Sequence, residues 1–67
     1  MTQPIELNGK KILVEASTLL ELLKELTLPI STVLVEHNGV ALLRHELEKA
    51  VLKADDQVEI LTVAAGG

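Results

Sequence analysis

Thr18-Leu19-Leu20-Glu21-Leu22-Leu23-Lys24-Glu25-Leu26 is the stretch that decides the fold. Thr18 followed three residues later by Glu21 has capping-box spacing, in which side-chain oxygens accept from the free N–H groups that open a helix. Leu19, Leu22, Leu23 and Leu26 then recur on one helical face, and Leu20 widens the apolar stripe. Glu21, Lys24 and Glu25 lie opposite. Glu21 and Glu25 are like charges one turn apart, a small local penalty. Pro29 stops the helix, placing its expected end near Thr27 or Leu28. No other stretch of the chain reads as a strong helix.

Strands are expected on both sides of it. Ile5-Glu6-Leu7 and Ile12-Leu13-Val14 are β-prone runs separated by Asn8-Gly9, a hairpin signal because a type I′ turn needs positive φ at both central residues. Lys10-Lys11 leave room for a connection longer than two residues. After the helix, Val33-Leu34-Val35 leads to a second Asn-Gly, Asn38-Gly39, and then to Val40-Ala41-Leu42-Leu43. His45 to Lys49 reads as one short helical turn anchored by Leu47. Lys53 to Gln57 is a polar turn, and Val58 to Val63 is the last strand.

This order has room for two layers only: one helix against one face of one sheet. The right-handed arrangement that pairs the last strand with the first is an α+β, β-grasp (ubiquitin-like) fold. It would have a mixed sheet of four to five strands covered on one face by the helix. A ferredoxin-like sandwich is the competing topology, but it needs a second long helix. The expected core is Ile5, Leu7, Leu19, Leu22, Leu23, Leu26, Val58 and Ile60. Residues 1–63 form the domain, and 64–67 are expected to be a flexible C-terminal tail.

Composition removes many functions. The chain has 67 residues, and a domain of this size buries only about 60% of the surface its unfolded form exposes. It has no cysteine, which excludes disulfides, thiolate zinc sites and cysteine nucleophiles. It has no aromatic residue, so it offers no base-stacking platform, and its net charge of −4 is the wrong sign for nucleic acid or anionic membrane. An apolar fraction of 48% is too high for a disordered chain. Met1-Thr2-Gln3-Pro4 shows no basic segment followed by an apolar run. Uninterrupted apolar stretches such as Val40-Ala41-Leu42-Leu43 fall far short of the ~20 residues of a membrane helix. The expected compartment is the cytoplasm.

The search for catalytic groups is mostly negative. His37 and His45 have no Ser or Cys motif beside them and read as surface histidines. Asp55-Asp56 reads as a solvated turn rather than a metal site, and no metal ligand set is expected. Ser17-Thr18 and Ser31-Thr32 read as a cap and a loop. The end of the sequence is different. Ala64-Ala65-Gly66-Gly67 closes on a glycine pair that would occur at two given positions with a probability of about 0.5%. Without a Cβ, such an end can thread a narrow channel. Its unhindered carboxylate could attack the α-phosphate of an ATP held by another protein, giving an acyl-adenylate.

Strict alternation along the last strand puts Val58, Ile60 and Thr62 on the inner face and Gln57, Glu59, Leu61 and Val63 on the other. Leu61 and Val63 are therefore expected as an exposed apolar docking patch just before the tail, extended by Leu34 and Leu42. Glu59 would guide the approach of a partner.

From Asn38-Gly39 through Arg44, Val51-Leu52-Lys53, Asp56, Val58-Glu59-Ile60 and terminal Gly66-Gly67, the chain resembles the ThiS family, the small sulfur carrier proteins of thiamin (thiazole) biosynthesis. The hairpin and Thr-capped, Leu-rich helix of the first half agree in layout. Leu43 stands where the family often has Pro, and Leu47 where an aromatic residue is common. Asp55 stands where Gly is usual, so it is expected in a left-handed conformation. The resemblance implies a carrier and not an enzyme. An adenylating enzyme of the ubiquitin-activating type would activate Gly67 with ATP and magnesium. Sulfur drawn from cysteine through a desulfurase would give a thiocarboxylate, and thiazole synthase would accept it. The cofactors belong to the partners and none to this chain. Two other readings stay open: the small sulfur-carrier subunit of molybdopterin synthase, and a non-covalent β-grasp interaction module.

Overall fold

The computed structural model describes residues 1–63. Five strands, β1 (Gln3–Leu7), β2 (Lys10–Val14), β3 (Val33–His37), β4 (Val40–Leu42) and β5 (Gln57–Thr62), surround one helix, α1 (Leu19–Glu25). The sheet order is β2-β1-β5-β3-β4, with β5 at the centre, parallel to β1 and antiparallel to β3. This is the expected β-grasp arrangement.

Both hairpins turn at their Asn-Gly pairs. Asn8 and Gly9 have φ of 50° and 83°, and Asn38 and Gly39 have 51° and 84°, so all four occupy the left-handed region a type I′ turn requires. The first connection has only two residues, because Lys10 pairs directly with Leu7 and Lys11 with Glu6. Room for a longer loop is not used: β2 starts immediately after the turn, and its exposed edge keeps the two lysines in solvent.

At the start of α1, Glu21 N–H donates to Thr18 Oγ1 at 3.1 Å, as the capping spacing predicts. The Glu21 carboxylate reaches one residue further back than in a simple capping box, accepting from Ser17 N–H at 2.8 Å and Ser17 Oγ at 2.7 Å. Glu25 accepts from the backbone N–H of Ala16 at 2.9 Å and of Glu15 at 3.1 Å. The two like charges are therefore placed to hold the loop that enters the helix. The Ser17 backbone and hydroxyl donors hold the Glu21 carboxyl below its ordinary pKa. Leu19 N–H and Leu20 N–H, free donors at a helix start, are taken by the carbonyls of Ala50 at 3.0 Å and Leu47 at 3.1 Å.

The helix ends earlier than Pro29 alone would dictate. Leu26 is its C-cap, and Thr27 turns left-handed with φ 59°. Leu28 N–H then donates to Leu23 C=O at 2.8 Å and Thr27 N–H to Lys24 C=O at 3.1 Å, the bond pattern of a Schellman motif. That motif ordinarily places Gly where this chain has a β-branched residue, and a left-handed conformation costs such a residue about 1–2 kcal/mol. Thr27→Gly is expected to stabilise the domain by about 1 kcal/mol after the entropy of the added glycine is counted, raising Tm by roughly 4–8 °C. A thermal melt by far-UV circular dichroism measures this; an unchanged or lower Tm would mean that the Thr27 side chain repays the strain.

Ile5, Leu19, Leu22, Leu23, Val58 and Ile60 are buried, as expected, and Val14, Ala16, Val35, Leu47 and Leu52 complete the core. Leu7 and Leu26 are only half-buried and pack on its rim, because Leu7 is the last residue of β1 and Leu26 is the C-cap just past α1. Thr62 follows Val58 and Ile60 on the inner face, opposite half-buried Val33, but is exposed there. A six-residue strand extends about 20 Å, whereas the seven-residue helix covers about 10 Å, so β5 runs out from under it.

Candidate functional site

The outer face of β5 carries Glu59 and Leu61 on the side of the sheet away from α1. Leu61 pairs across the ladder with Leu34 of β3, and Glu59 pairs with Glu36. Leu34 and Leu61 are 60% and 61% exposed, so a solvated pair of leucines interrupts the open face. Val63 follows the strand at 45% exposure, and its N–H donates to Thr32 C=O at 2.7 Å. That bond ties the end of the strand to the loop before β3. Leu61 and Val63 are thus exposed as the alternation predicts, and Glu59 lies beside them, exposed as well. Leu42 is a correction: it pairs with buried Val35, faces the core and is half-buried. The exposed apolar residue at that end of the sheet is Leu43.

Two depressions border this surface. One, of about 120 Å³, lies between Leu34, Glu36, Ala41, Glu59 and Leu61. The other, of about 340 Å³, is lined by Ile30, Leu34, Leu43, Leu47 and Val63 with Arg44 among its walls. It is an apolar groove that includes the last described residue. Ala64, Ala65, Gly66 and Gly67, the expected tail and activation site, lie outside the described residues.

A polar cluster sits at the opposite end of β5. Asp56 Oδ2 accepts from Lys53 N–H at 2.9 Å and lies 2.7 Å from His37 Nε2, while Asp56 Oδ1 accepts from Asn38 Nδ2 at 3.2 Å. An ionised carboxylate only accepts, so His37 Nε2 is the donor. Partial burial raises the Asp56 pKa, but the bonds from His37, the Lys53 amide and Asn38 outweigh it and hold the carboxyl below its ordinary value. Asn38 Oδ1 accepts from Gln57 N–H at 2.8 Å. His37 and Asp56 are therefore half-buried structural partners and not freely solvated groups. The spacing of nineteen residues between them hid this from sequence reading. Asp55 is exposed and left-handed at φ 70°, as expected, and His45 is exposed.

Asn8 does comparable work on the other side of β5. Its Oδ1 accepts from Ile60 N–H at 2.8 Å, its Nδ2 donates to Ile60 C=O at 3.2 Å, and its own N–H donates to Val58 C=O at 2.9 Å. The side-chain amide thus extends the parallel β1–β5 ladder past Leu7, where the backbone turns away. Each Asn-Gly turn is stitched to the strand that carries Leu61.

Among the described residues no three His, Asp or Glu side chains are placed to hold a metal ion. None of their charged or polar side chains is buried. The groups around His37 and Asp56 are amide N–H donors and not nucleophiles. What these residues offer is an apolar, acid-bordered surface leading to the tail. No described helix is long and apolar enough to cross a membrane.

Comparison with known proteins agrees with the fold. A model of the ThiS family matches residues 1–67. Among solved structures, the crystal structure of a thiamine biosynthesis protein (ThiS) from Geobacter metallireducens is similar to this chain with a TM-score of 0.82 and 32% sequence identity. The likeness covers 97% of this chain and 100% of that one. A search of curated proteins gives no match.

Proposed function

This chain belongs to the ThiS family and is a sulfur carrier rather than an enzyme, and on that premise we propose that it carries sulfur for thiazole (thiamin) synthesis on the carboxylate of Gly67. The observation that carries this reading is the family match over residues 1–67, which takes in Gly66 and Gly67. The solved structure named for thiamine biosynthesis supports it.

The chemistry follows from the carboxylate. It is a poor electrophile, and attack of its oxygen on the α-phosphorus of ATP, with release of pyrophosphate, makes it an acyl-adenylate. A persulfide on the sulfur donor then displaces AMP to give an acyl disulfide. A thiol cleaves its S–S bond, leaving a disulfide with the donor and releasing the thiocarboxylate, which thiazole synthase consumes. A ubiquitin-activating-type adenylating enzyme supplies ATP and magnesium, and a cysteine desulfurase supplies sulfur. All of this belongs in the cytoplasm, where ATP is available. This chain's share is to present Gly67, with Gly66, Ala65 and Ala64 slender enough to enter a partner's channel, while Leu61 and Val63 dock and Glu59 with Glu36 steers a basic surface.

Intact mass after incubation with ATP, magnesium, the adenylating enzyme and a sulfur source tests the proposal. The expected gain is the difference between sulfur and oxygen, lost again on addition of thiazole synthase and its substrates. No gain refutes the carrier chemistry. A gain discharged only by the large subunit of molybdopterin synthase moves the chain to that pathway.

The docking surface has its own test. Leu61→Asp with Val63→Asp is expected to fold normally, since both side chains are exposed, and to weaken binding to the adenylating enzyme by tenfold or more, a loss of about 1.4 kcal/mol or more. Unchanged affinity places the interface elsewhere.

A further inference from the structure

The two Asn-Gly turns have matching φ angles and three anchoring hydrogen bonds each, including Asn38 N–H to Gln57 C=O at 2.7 Å. The anchors differ in burial and in kind, and this makes the turns unequal chemically. In an Asn-Gly pair the backbone nitrogen of the glycine can attack Cγ of the asparagine side chain. Ammonia leaves, a cyclic imide forms, and water opens it at either carbonyl to give aspartate or isoaspartate. The balance is one water consumed and one ammonia released, with no oxidant or reductant. Glycine allows the attack because it has no side chain to block it, and around both Gly9 and Gly39 the space a Cβ would fill is open.

Folded, both asparagines are held left-handed with their side-chain amides engaged. Attack therefore waits for local opening of the turn, and its rate follows the cost of that opening. Asn8 is tied by both amide atoms to the backbone of Ile60, in a part-buried position on the central strand. It closes a hairpin of two five-residue strands. Asn38 closes a hairpin whose second strand, β4, has only three residues against five in β2, although both strands lie at sheet edges. Its side-chain bonds are exposed, and one of them depends on the carboxylate of Asp56.

We propose that Asn38 is a site of spontaneous deamidation in the folded protein, that Asn8 is protected, and that the Asp56 carboxylate is the brace that slows reaction at Asn38. The products bear on the same cluster. Aspartate at position 38 keeps an acceptor for Gln57 N–H but replaces the donor to Asp56 with a second negative charge. Isoaspartate also adds a carbon to the main chain inside a two-residue turn, which shifts β4 against β3. Glu36 of β3 faces Ala41 of β4 beside the Leu34–Leu61 pair, so the change reaches the open face of the sheet.

The test is to age the folded chain at mildly alkaline pH and follow both positions by peptide mass mapping, scoring the replacement of –NH2 by –OH. Asn38 is expected to react several-fold faster than Asn8. Equal rates, or a faster Asn8, overturn the proposal. The same measurement in denaturant removes the anchorage and is expected to bring the two rates together. If the native ratio persists there, local sequence sets it and the structural argument fails. Asp56→Ala is expected to raise the Asn38-to-Asn8 ratio further, with Asn8 as the internal reference for any general loss of stability. A ratio that does not rise removes Asp56 as the brace.

Discussion

A chain lacking Gly67 is expected to unfold at the same temperature as the parent and to form no acyl-adenylate. The eleven buried hydrophobic residues of the described domain lie between Ile5 and Ile60, and the sheet ends at Thr62. Stability is therefore built before the tail begins. Reactivity is the opposite case. Loss of one residue withdraws the carboxylate by about 3.3–3.6 Å, and misplacement by about 1 Å can already cost ~10²-fold in rate. Extending the chain by one residue displaces the carboxylate in the other direction and is expected to be equally damaging. ATP–pyrophosphate exchange with the adenylating enzyme, read beside a thermal melt, separates the two properties. Exchange at the parent rate by the shortened chain would remove Gly67 from the mechanism.

Leu22→Ala should act in the reverse sense, on the fold first. Leu22 is fully buried in the middle of α1, against a sheet with no second helix to close the gap. Truncation of such a leucine costs about 2–5 kcal/mol. At about 0.05–0.15 kcal/mol per residue the entire domain is stable by roughly 3–10 kcal/mol. The variant thus loses a large part of its stability, with Tm lower by roughly 10–40 °C. A melt coincident with that of the parent would mean that α1 is packed in another rotation.

What was legible in the sequence was local. Asn8-Gly9 and Asn38-Gly39 marked both hairpins because the turn type demands left-handed residues at those positions. Thr18 and the leucine spacing marked the helix, and alternation along the last strand exposed Leu61 and Val63. What was hidden was long-range. Leu47, read as the anchor of a short turn, is indeed buried, but Leu52 enters the core from an irregular segment, where no period marks the inward side chain. Asn8 reads as a turn former, yet its amide bonds Ile60 across fifty-two residues. Gln3 donates to the carbonyls of Ala16 and Leu52 at 3.1 and 3.2 Å, and nothing in its neighbours announces it. Glu21 and Glu25 looked repulsive because only their separation along the helix was visible, and not the loop amides they accept from. At the site itself the patch was readable, whereas the pairing of Leu61 with Leu34 needed the sheet order.

The central position of β5 also sets when the protein can come into being during synthesis. The strand that joins the two hairpins is made last of the five. While residues 57–62 are still inside the ribosome, β1–β2 and β3–β4 are isolated hairpins, and such two-stranded pieces are marginal in water. Emergence of β5 lets the parallel and antiparallel ladders close together, a contact pattern of high sequence separation that folds late. A nascent chain that stalls before Gln57 has neither the five-stranded sheet nor the outer leucine pair. The outer pair of Leu34 and Leu61 therefore forms only in chains that have been read through their last strand.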